Sequence, residues 1–154
     1  MAGAGLDILF AFSPAAHHVD FGDGVALISG VKPMGPAFAV LKSDGASALV
    51  VTPVWDGIRA EAGARTDQVT ATDDLAGSFA AMYGNHLPAS ARIGIADLGK
   101  MAHGTAAAIT ALTGTGFKDY SAQLFTLAAH KTDAEIENAR QATVIGERTY
   151  QYML

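Results

Sequence analysis

The sequence predicts an α/β fold in which a mixed β-sheet is flanked by helices. Three observations support this prediction. Short apolar runs bounded by Gly, Pro and Asp recur along the 154 residues, and such runs are typical of buried strands. An Asp-Gly pair separates two of these runs, which indicates a β-hairpin in the first third of the chain. Helix-like segments then alternate with the later strands, as in sheets that carry helices on their faces.

Each predicted element has a local signal. Apolar runs indicate strands, a helical pattern after a capping residue indicates a helix, and Gly or Pro marks the connections. Thr72 or Asp73 is expected to cap a helix that begins at Asp74. The predicted strands lie at 6–12, 36–41, 48–52, 68–72, 92–96 and 117–121. The predicted helical segments are a short turn at 25–28 and helices at 55–62, 74–83, 99–112 and 132–154.

The last predicted helix is well defined at its beginning and undefined at its end. Thr132 and Glu135 have the spacing of a capping box, in which each side chain accepts a hydrogen bond from the other residue's backbone N–H. The helix then continues for about 20 residues, or roughly 30 Å. It reaches an apolar terminus at Leu154 without a Gly, Asn or Pro to stop it. We expect either a chain truncated within a helix or a frayed natural terminus.

Composition excludes several classes of function. The net charge is −5 and the sequence has no Lys/Arg run, so neither a nucleic acid nor an anionic membrane is an expected partner. The absence of cysteine excludes disulfides, a zinc ribbon and a thiol nucleophile. No secretion signal and no apolar stretch of about 18 residues is present, which predicts a soluble, cytoplasmic protein.

Residues 130–142 (HKTDAEIENARQA) carry the strongest resemblance to a known family. The segment resembles the junction between the two domains of the creatinase, prolidase and Xaa-Pro aminopeptidase family. The segments 5–9, 27–31, 49–53, 59–61 and 92–96 follow in the family's order, so the resemblance covers nearly the whole chain. The chain departs from the family where Leu27 and Val31 replace aromatic residues and where residues 17–23 indicate an insertion or a rearrangement. The positions that match the junction are Lys131, Thr132, Glu135, Ile136, Arg140 and Ala142.

The resemblance implies two parts of unequal size. Residues 1–131 correspond to the family's N-terminal domain, which has a ribonuclease H-like motif, and residues 132–154 to the start of a junction helix. The catalytic domain that follows this helix in the family is not part of the sequence. There, two Asp, one His and two Glu hold two divalent metals (Mn, Co or Zn), which activate a bridging water and polarise the scissile carbonyl. All of these ligands would follow residue 154, so the chain itself is expected to hold no cofactor and no catalytic residue.

The resemblance also implies a role and partners. Members of the family use this domain for dimerisation and for shaping the mouth of the active site. The expected partners are therefore the chain's own catalytic domain and a second subunit of a homodimer. The expected reaction of the complete protein is hydrolysis of a C–N bond next to proline or in a small amidino or amide compound.

His17, His18 and Asp20 form the first candidate site. Adjacent residues of an extended chain point in opposite directions, so the two histidines are not expected to chelate a metal together. We expect a polar loop at the surface of the domain. The resemblance supplies an alternative, because loops of this region in the family can reach a neighbouring subunit's active site.

Trp55 and Arg59 form the second candidate site. Asp56 has the helical spacing to pair with Arg59, and we expect a surface ion pair beside a packed tryptophan. A subunit contact or a substrate-shaping role is the alternative. The single histidines His86, His103 and His130 are expected to be surface or capping residues, and no glycine pattern fits a nucleotide-binding loop or a nucleophile elbow.

Two further hypotheses belong to other classes of protein. The first is a free-standing α/β binding or assembly module that is encoded without a catalytic half. The second is a small-molecule enzyme that acts through His17, His18 and Asp20. The sequence that follows codon 154 in the natural gene distinguishes the family reading from the first of these.

Overall fold

A six-stranded mixed sheet with helices on both faces organises the chain, which confirms the predicted fold class. A computed structural model describes residues 5–15, 23–84, 87–114 and 117–154. The strands are β1 (Ile8–Ser13), β2 (Ala37–Lys42), β3 (Ser47–Val51), β4 (Gln68–Ala71), β5 (Ile93–Ala96) and β6 (Phe117–Asp119). The helices among the described residues are α1 (Gly24–Ser29), α2 (Gly57–Gly63), α3 (Leu75–Tyr83), α4 (His103–Thr113), α5 (Ser121–Ala129) and α6 (Asp133–Met153), and 3₁₀ turns cover Val54–Asp56 and Leu98–Lys100.

The strands follow the spatial order β4-β3-β2-β1-β5-β6. Strand β2 is antiparallel to both of its neighbours, whereas β3–β4, β1–β5 and β5–β6 are parallel pairs. Five strands therefore run in one direction, and β1, β3, β4, β5 and β6 all end at the same side of the sheet. We call this side the carboxyl edge.

The two faces of the sheet carry side chains of different size. Successive residues of a strand point to opposite faces, and on β1 this places Phe10 and Phe12 on one face and Ala11 on the other. The first face packs its aromatic rings against α3 and α4. The second face is rich in alanine and valine and packs against α1, α2 and α5. Small side chains allow these helices to lie close to the sheet.

The predicted cap of α3 and the predicted start of α4 are wrong, and one helix was not predicted. Helix α3 is capped by Asp74, whose side chain accepts from the Gly77 N–H, and not by Thr72 or Asp73. Helix α4 begins at His103 rather than at 99, because a separate 3₁₀ turn precedes it. Helix α5 was not predicted, and it occupies the nine residues after β6. The hairpin β2–β3 and the helical turn α1 are confirmed.

Helix α6 begins as predicted and contacts little of the domain. The capping box of Thr132 and Glu135 is complete, with the Thr132 N–H donating to Glu135 Oε2 at 2.8 Å and the Glu135 N–H donating to Thr132 Oγ1 at 3.2 Å. None of the 21 residues of α6 is buried. The division of the chain into an N-terminal domain of residues 1–131 and a junction helix of residues 132–154 stays a prediction. Within the described residues, no helix combines the length and the apolar character that crossing a bilayer requires.

Candidate functional site

The carboxyl edge is the part of the sheet where a site is expected. In α/β sheets, the loops that follow the ends of parallel strands form the binding crevice. Here the loops after β3 and β5 carry two buried carboxylates, Asp56 and Asp97. Each lies beside a basic residue three positions later, and each holds backbone from another part of the chain.

Asp56 is fully buried and links three segments. Its Oδ1 lies 2.6 Å from Arg59 Nε, and its Oδ2 accepts from Arg59 Nη2 at 3.0 Å. The Met34 N–H also donates to Oδ2 at 3.0 Å, and Arg59 Nη2 donates to the Lys32 carbonyl at 2.9 Å. The pair therefore fixes the loop before β2 against the beginning of α2.

The predicted Asp56–Arg59 pair is confirmed, with Asp56 fully buried and the Arg59 side chain about half exposed. Burial acts to raise the pKa of Asp56, while hydrogen bonds from Arg59 and from the Met34 N–H, together with the positive charge of Arg59, lower it more. The net result is a pKa below the usual value for Asp. The hydrogen bonds to Asp56 likewise raise the pKa of Arg59. The pair is thus ionised at neutral pH and holds the two segments in place relative to each other.

The tryptophan was expected to pack, and the structure places it in solvent. Trp55 is 65% exposed and Ile58 is 83% exposed, although both adjoin the buried Asp56 in sequence. Val54 and Met34 are also exposed, and the Met34 backbone is held by Asp56. We call the side chains of Met34, Val54, Trp55 and Ile58 the Trp55 surface. These exposed apolar side chains lie on two segments that the hydrogen bonds of Asp56 hold together.

Asp97 forms a second buried cluster that the sequence reasoning missed. Its Oδ1 lies 2.8 Å from Lys100 Nζ, and its Oδ2 accepts from the Gly24 N–H at 3.2 Å. The Asp97 N–H donates to Ser121 Oγ at 3.0 Å. Asp97 has a φ of 64°, which is uncommon for a residue other than glycine. A carboxylate directly after a buried strand was the signal in the sequence that could have identified it.

The first candidate site falls outside the described residues. This applies to His17, His18 and Asp20, and also to His86. On either side of residues 16–22, Ser13 Oγ donates to Asp23 Oδ2 at 2.6 Å, and Asp23 caps α1. Ser13 and Asp23, the described residues on the two sides of this segment, are therefore linked at the carboxyl edge.

The two histidines within the described ranges are at helix ends, as expected. His103 is the first residue of α4. His130 follows α5, with its Nδ1 at 3.1 Å from the Thr126 carbonyl oxygen. Neither lies in a group with other metal-ligating side chains among the described residues.

The described residues do not fit a dinuclear metal centre. Among them, no three His, Cys, Asp or Glu side chains lie close enough together to hold a metal ion. The buried carboxylates at the carboxyl edge are already paired with a guanidinium and an ammonium group. A cavity of about 290 Å³ does lie between α4 and the ends of β5 and β6, but its polar residues Asp119 and Ser121 hydrogen-bond each other.

Comparison with solved structures gives clear likenesses at low sequence identity. Prolidase from Pyrococcus furiosus matches 89% of the chain with a TM-score of 0.62 and 18% identity. X-Pro aminopeptidase from Thermotoga maritima matches 96% of the chain with a TM-score of 0.68 and 14% identity. The Xaa-Pro aminopeptidase (aminopeptidase P) from Streptococcus thermophilus matches 80% of the chain with a TM-score of 0.54 and 10% identity. No protein-family model matches the chain, and a search of curated proteins gives no match.

The chain spans 38% of the length of the prolidase and 40% of the T. maritima aminopeptidase, whereas it covers 88% of the S. thermophilus chain. At these identities the likeness concerns the fold. The solved structures that share this fold are a prolidase and two X-Pro aminopeptidases, which are proteins of the kind that the sequence resembles. The chain therefore has the fold of the N-terminal domain of the creatinase, prolidase and Xaa-Pro aminopeptidase family.

Proposed function

We propose that this chain is the non-catalytic N-terminal domain of a metal-dependent hydrolase that cleaves a C–N bond next to proline or in a small amidino or amide compound. The observation that carries the proposal is the likeness to a prolidase and an X-Pro aminopeptidase over 89% and 96% of the chain. In this proposal the two divalent metals, Mn, Co or Zn, are held by a separate catalytic domain of a cytoplasmic protein.

Helix α6 is the proposed connection to that domain. A soluble helix is usually stabilised by packing one face against other elements, yet no residue of α6 is buried. The charges of α6 are concentrated on one side, and small or apolar residues occupy most of the other. The side that carries Ala139, Ala142 and Gly146 is therefore the side that we expect the catalytic domain to cover.

The Trp55 surface is the proposed contact with a second subunit, close to the mouth of the active site. Exposed apolar surface with a polar surround marks interaction sites, and tryptophan and arginine are enriched among residues that dominate interface energy. The hydrogen bonds of Asp56 fix the backbone next to Trp55. A segment that is already fixed loses less conformational entropy on binding. Arg59 serves this role indirectly, by holding Asp56.

The first experiment tests the absence of catalytic residues. The 154-residue chain, purified and loaded in turn with Mn²⁺, Co²⁺ and Zn²⁺, is assayed with a Xaa-Pro dipeptide. We expect turnover no faster than that of the buffer with metal alone. Metal-dependent turnover by this chain would contradict the proposal that catalysis resides elsewhere.

The second experiment tests the Trp55 surface. Sedimentation equilibrium of the chain should show self-association that Trp55→Ser and Ile58→Ser weaken about tenfold or more, which corresponds to about 1.4 kcal/mol. Leu127→Ser is the matched control, because Leu127 is 73% exposed and lies outside the surface. A monomer at all concentrations, or equal weakening by the control, would count against a role in dimerisation.

The alternative is a free-standing α/β binding or assembly module. One observation favours it: the match covers 88% of the S. thermophilus chain, so this fold makes up most of one solved chain. The natural reading frame separates the two functions. A downstream segment with two Asp, one His and two Glu at metal-binding positions supports the hydrolase, and a stop codon after Leu154 supports the module.

A further inference from the structure

Strand β4 is the last strand at one side of the sheet. Among the residues that the structure describes, it pairs with β3 alone, in parallel, and the Thr72 N–H donates to the Val51 carbonyl at 3.0 Å. Successive residues of a strand direct their N–H and C=O groups to opposite sides. Because the Thr72 N–H points toward β3, the backbone N–H and C=O groups of Thr70 also point toward β3. The backbone groups of Val69 and Ala71 therefore point the other way, out of the edge of the sheet. These two residues offer two donors and two acceptors in the geometry that an added strand requires.

The surroundings of this edge are acidic. Asp67 lies directly before β4, and Asp73 and Asp74 follow it after one residue. Hydrogen bonds from Ser47 hold the pKa of Asp67 below its usual range, so this carboxylate is charged at neutral pH. The nearest cation in the sequence, Arg65, directs its side chain toward Gly30 at the end of α1.

The two faces of β4 differ in exposure. Gln68 and Thr70 are exposed, whereas Val69 and Ala71 are partly buried on the other face. On that face α2 lies so close to the strand that a Cβ added to Gly57 would be 2.7 Å from the Ala71 Cβ. An added strand would therefore continue a sheet that α2 covers on one face.

We propose that the β4 edge binds an extended, cationic segment of a partner protein, which adds a seventh strand to the sheet. The backbone groups of Val69 and Ala71 supply the hydrogen bonds. The negative charges of Asp67 and Asp73, which accept hydrogen bonds from Ser47 and from the Val54 N–H at the two ends of β4, select positive charge through electrostatic attraction. The proposal does not rest on the hydrolase function, and it concerns a surface other than the Trp55 surface.

A second copy of the chain is the less suitable occupant. If two β4 edges paired antiparallel with Val69 opposite Ala71, Asp67 of each copy would lie opposite Asp73 of the other. Like charges directly opposite each other destabilise a strand pair. The same two carboxylates that disfavour self-pairing would attract lysine or arginine at both ends of a foreign strand.

The experiment uses the whole chain, labelled with nitrogen-15, and a synthetic peptide, acetyl-Lys-Thr-Val-Thr-Val-Thr-Lys-amide. At about 1 mM peptide, a concentration suited to weak binding, we expect the amide signals of Val69 and Ala71 to shift and their hydrogen exchange to slow. The control is an otherwise identical peptide with Glu in place of Lys, which we call the acidic twin. It should bind at least about tenfold more weakly at low salt, and this difference should shrink in about 1 M salt.

Two peptides with backbone N-methyl groups at alternate positions provide the sharpest control. One should lose binding and the other retain it, since only alternate N–H groups of an added strand face β4. The double variant Asp67→Asn/Asp73→Asn should bind the cationic peptide about tenfold more weakly, and Trp55→Ala should bind it like the unmodified chain. Unchanged amide signals, equal binding of both twins, equal effects of the two methylated peptides, or dimerisation through β4 would overturn the proposal.

Discussion

At the scale of single residues, Asp56 and its partner Arg59 hold the loop before β2 against the beginning of α2. A buried carboxylate is unfavourable unless charge and hydrogen bonds compensate for lost hydration. Asp56 receives both from Arg59 and a further hydrogen bond from the Met34 N–H. The guanidinium remains about half exposed, which reduces the energy of the pair relative to a fully buried one.

Substitution Asp56→Asn should therefore destabilise the domain in a pH-dependent manner. The folded state lowers the pKa of Asp56, so its stabilisation is present above the unfolded-state pKa and is lost as the pH falls through the folded-state pKa. We expect the variant to lose about 1–3 kcal/mol of unfolding free energy at pH 7 and to approach the unmodified chain as the pH falls through the lowered pKa of Asp56. Urea unfolding at pH 7 and at pH 3 measures how far the difference shrinks.

The control for this prediction is Asp133→Asn, which removes an exposed carboxylate from the first turn of α6. Its effect on global unfolding should be small at both pH values. A loss for Asp56→Asn that is the same at pH 7 and pH 3 would show that packing, and not the charge, stabilises the loop before β2.

At the scale of elements, the caps explain where prediction succeeded and where it did not. The spacing of Thr132 and Glu135 is local, and no other group competes for these side chains, so the sequence was sufficient to locate the start of α6. The start of α3 depended on tertiary contacts. Thr72 accepts from the Asp74 N–H and Asp73 accepts from the Val54 N–H, which leaves Asp74 to cap the helix.

The missing helix α5 has a similar explanation. No side chain caps it at Tyr120, and it contains no charged residue, so neither a cap nor an amphipathic charge pattern identifies it in the sequence. Its position depends on a distant partner, because Ser121 Oγ accepts from the Asp97 N–H. Such a contact between residues 24 positions apart cannot be inferred from local pattern.

Substitution Thr132→Ala should loosen the first turn of α6 without unfolding the domain. Loss of the cap costs a helix about 1 kcal/mol, but α6 buries no residue, so this energy is local. Hydrogen exchange of the amides of 133–137 should accelerate about fivefold. Thr143→Ala, at an exposed site within the same helix, is the control and should leave these rates unchanged. A fall in the global unfolding midpoint for Thr132→Ala alone would indicate that α6 packs against the domain.

At the scale of the whole molecule, the two faces of the sheet contribute differently to stability. The aromatic face is centred on Phe79, whose ring centroid lies 5.1 Å from Phe10, 5.2 Å from Phe38 and 5.5 Å from Tyr83. The opposite face holds its helices through small side chains and through the buried carboxylates Asp56 and Asp97 at the carboxyl edge. The sequence predicted the strands of both faces, because alternation and apolar runs are local signals.

The positions of site residues were harder to predict at this scale. The order of the strands in the sheet determines which residues lie next to Asp56 and Asp97. This order follows from contacts across the sheet. The exposure of Trp55 was also unexpected, since aromatic side chains are usually at least partly buried. The sequence did identify the Asp56–Arg59 pair, because helical spacing alone brings those two side chains together.

Substitution Phe79→Ala should be the most damaging of the variants described. Removal of a fully buried phenylalanine costs about 3–5 kcal/mol, a large part of the about 5–15 kcal/mol that stabilises a typical domain. If this variant does not fold, Phe79→Leu should still show a loss of about 1–2 kcal/mol in urea unfolding. Leu127→Ala, at a site that is 73% exposed, should remain within about 0.5 kcal/mol. Equal losses for Phe79→Leu and Leu127→Ala would contradict an aromatic core centred on Phe79.

The central position of β1 also determines the order in which the chain can fold. The hairpin partners β2 and β3 follow β1 closely in sequence, whereas β5 becomes its neighbour across a separation of 85 residues, as the Asp7–Arg92 contact shows. Loop closure over such a distance is slow compared with hairpin formation. During synthesis, the apolar strand β1 must keep one side unpaired until β5 has left the ribosome, and for that interval the strand is open to association with other nascent chains.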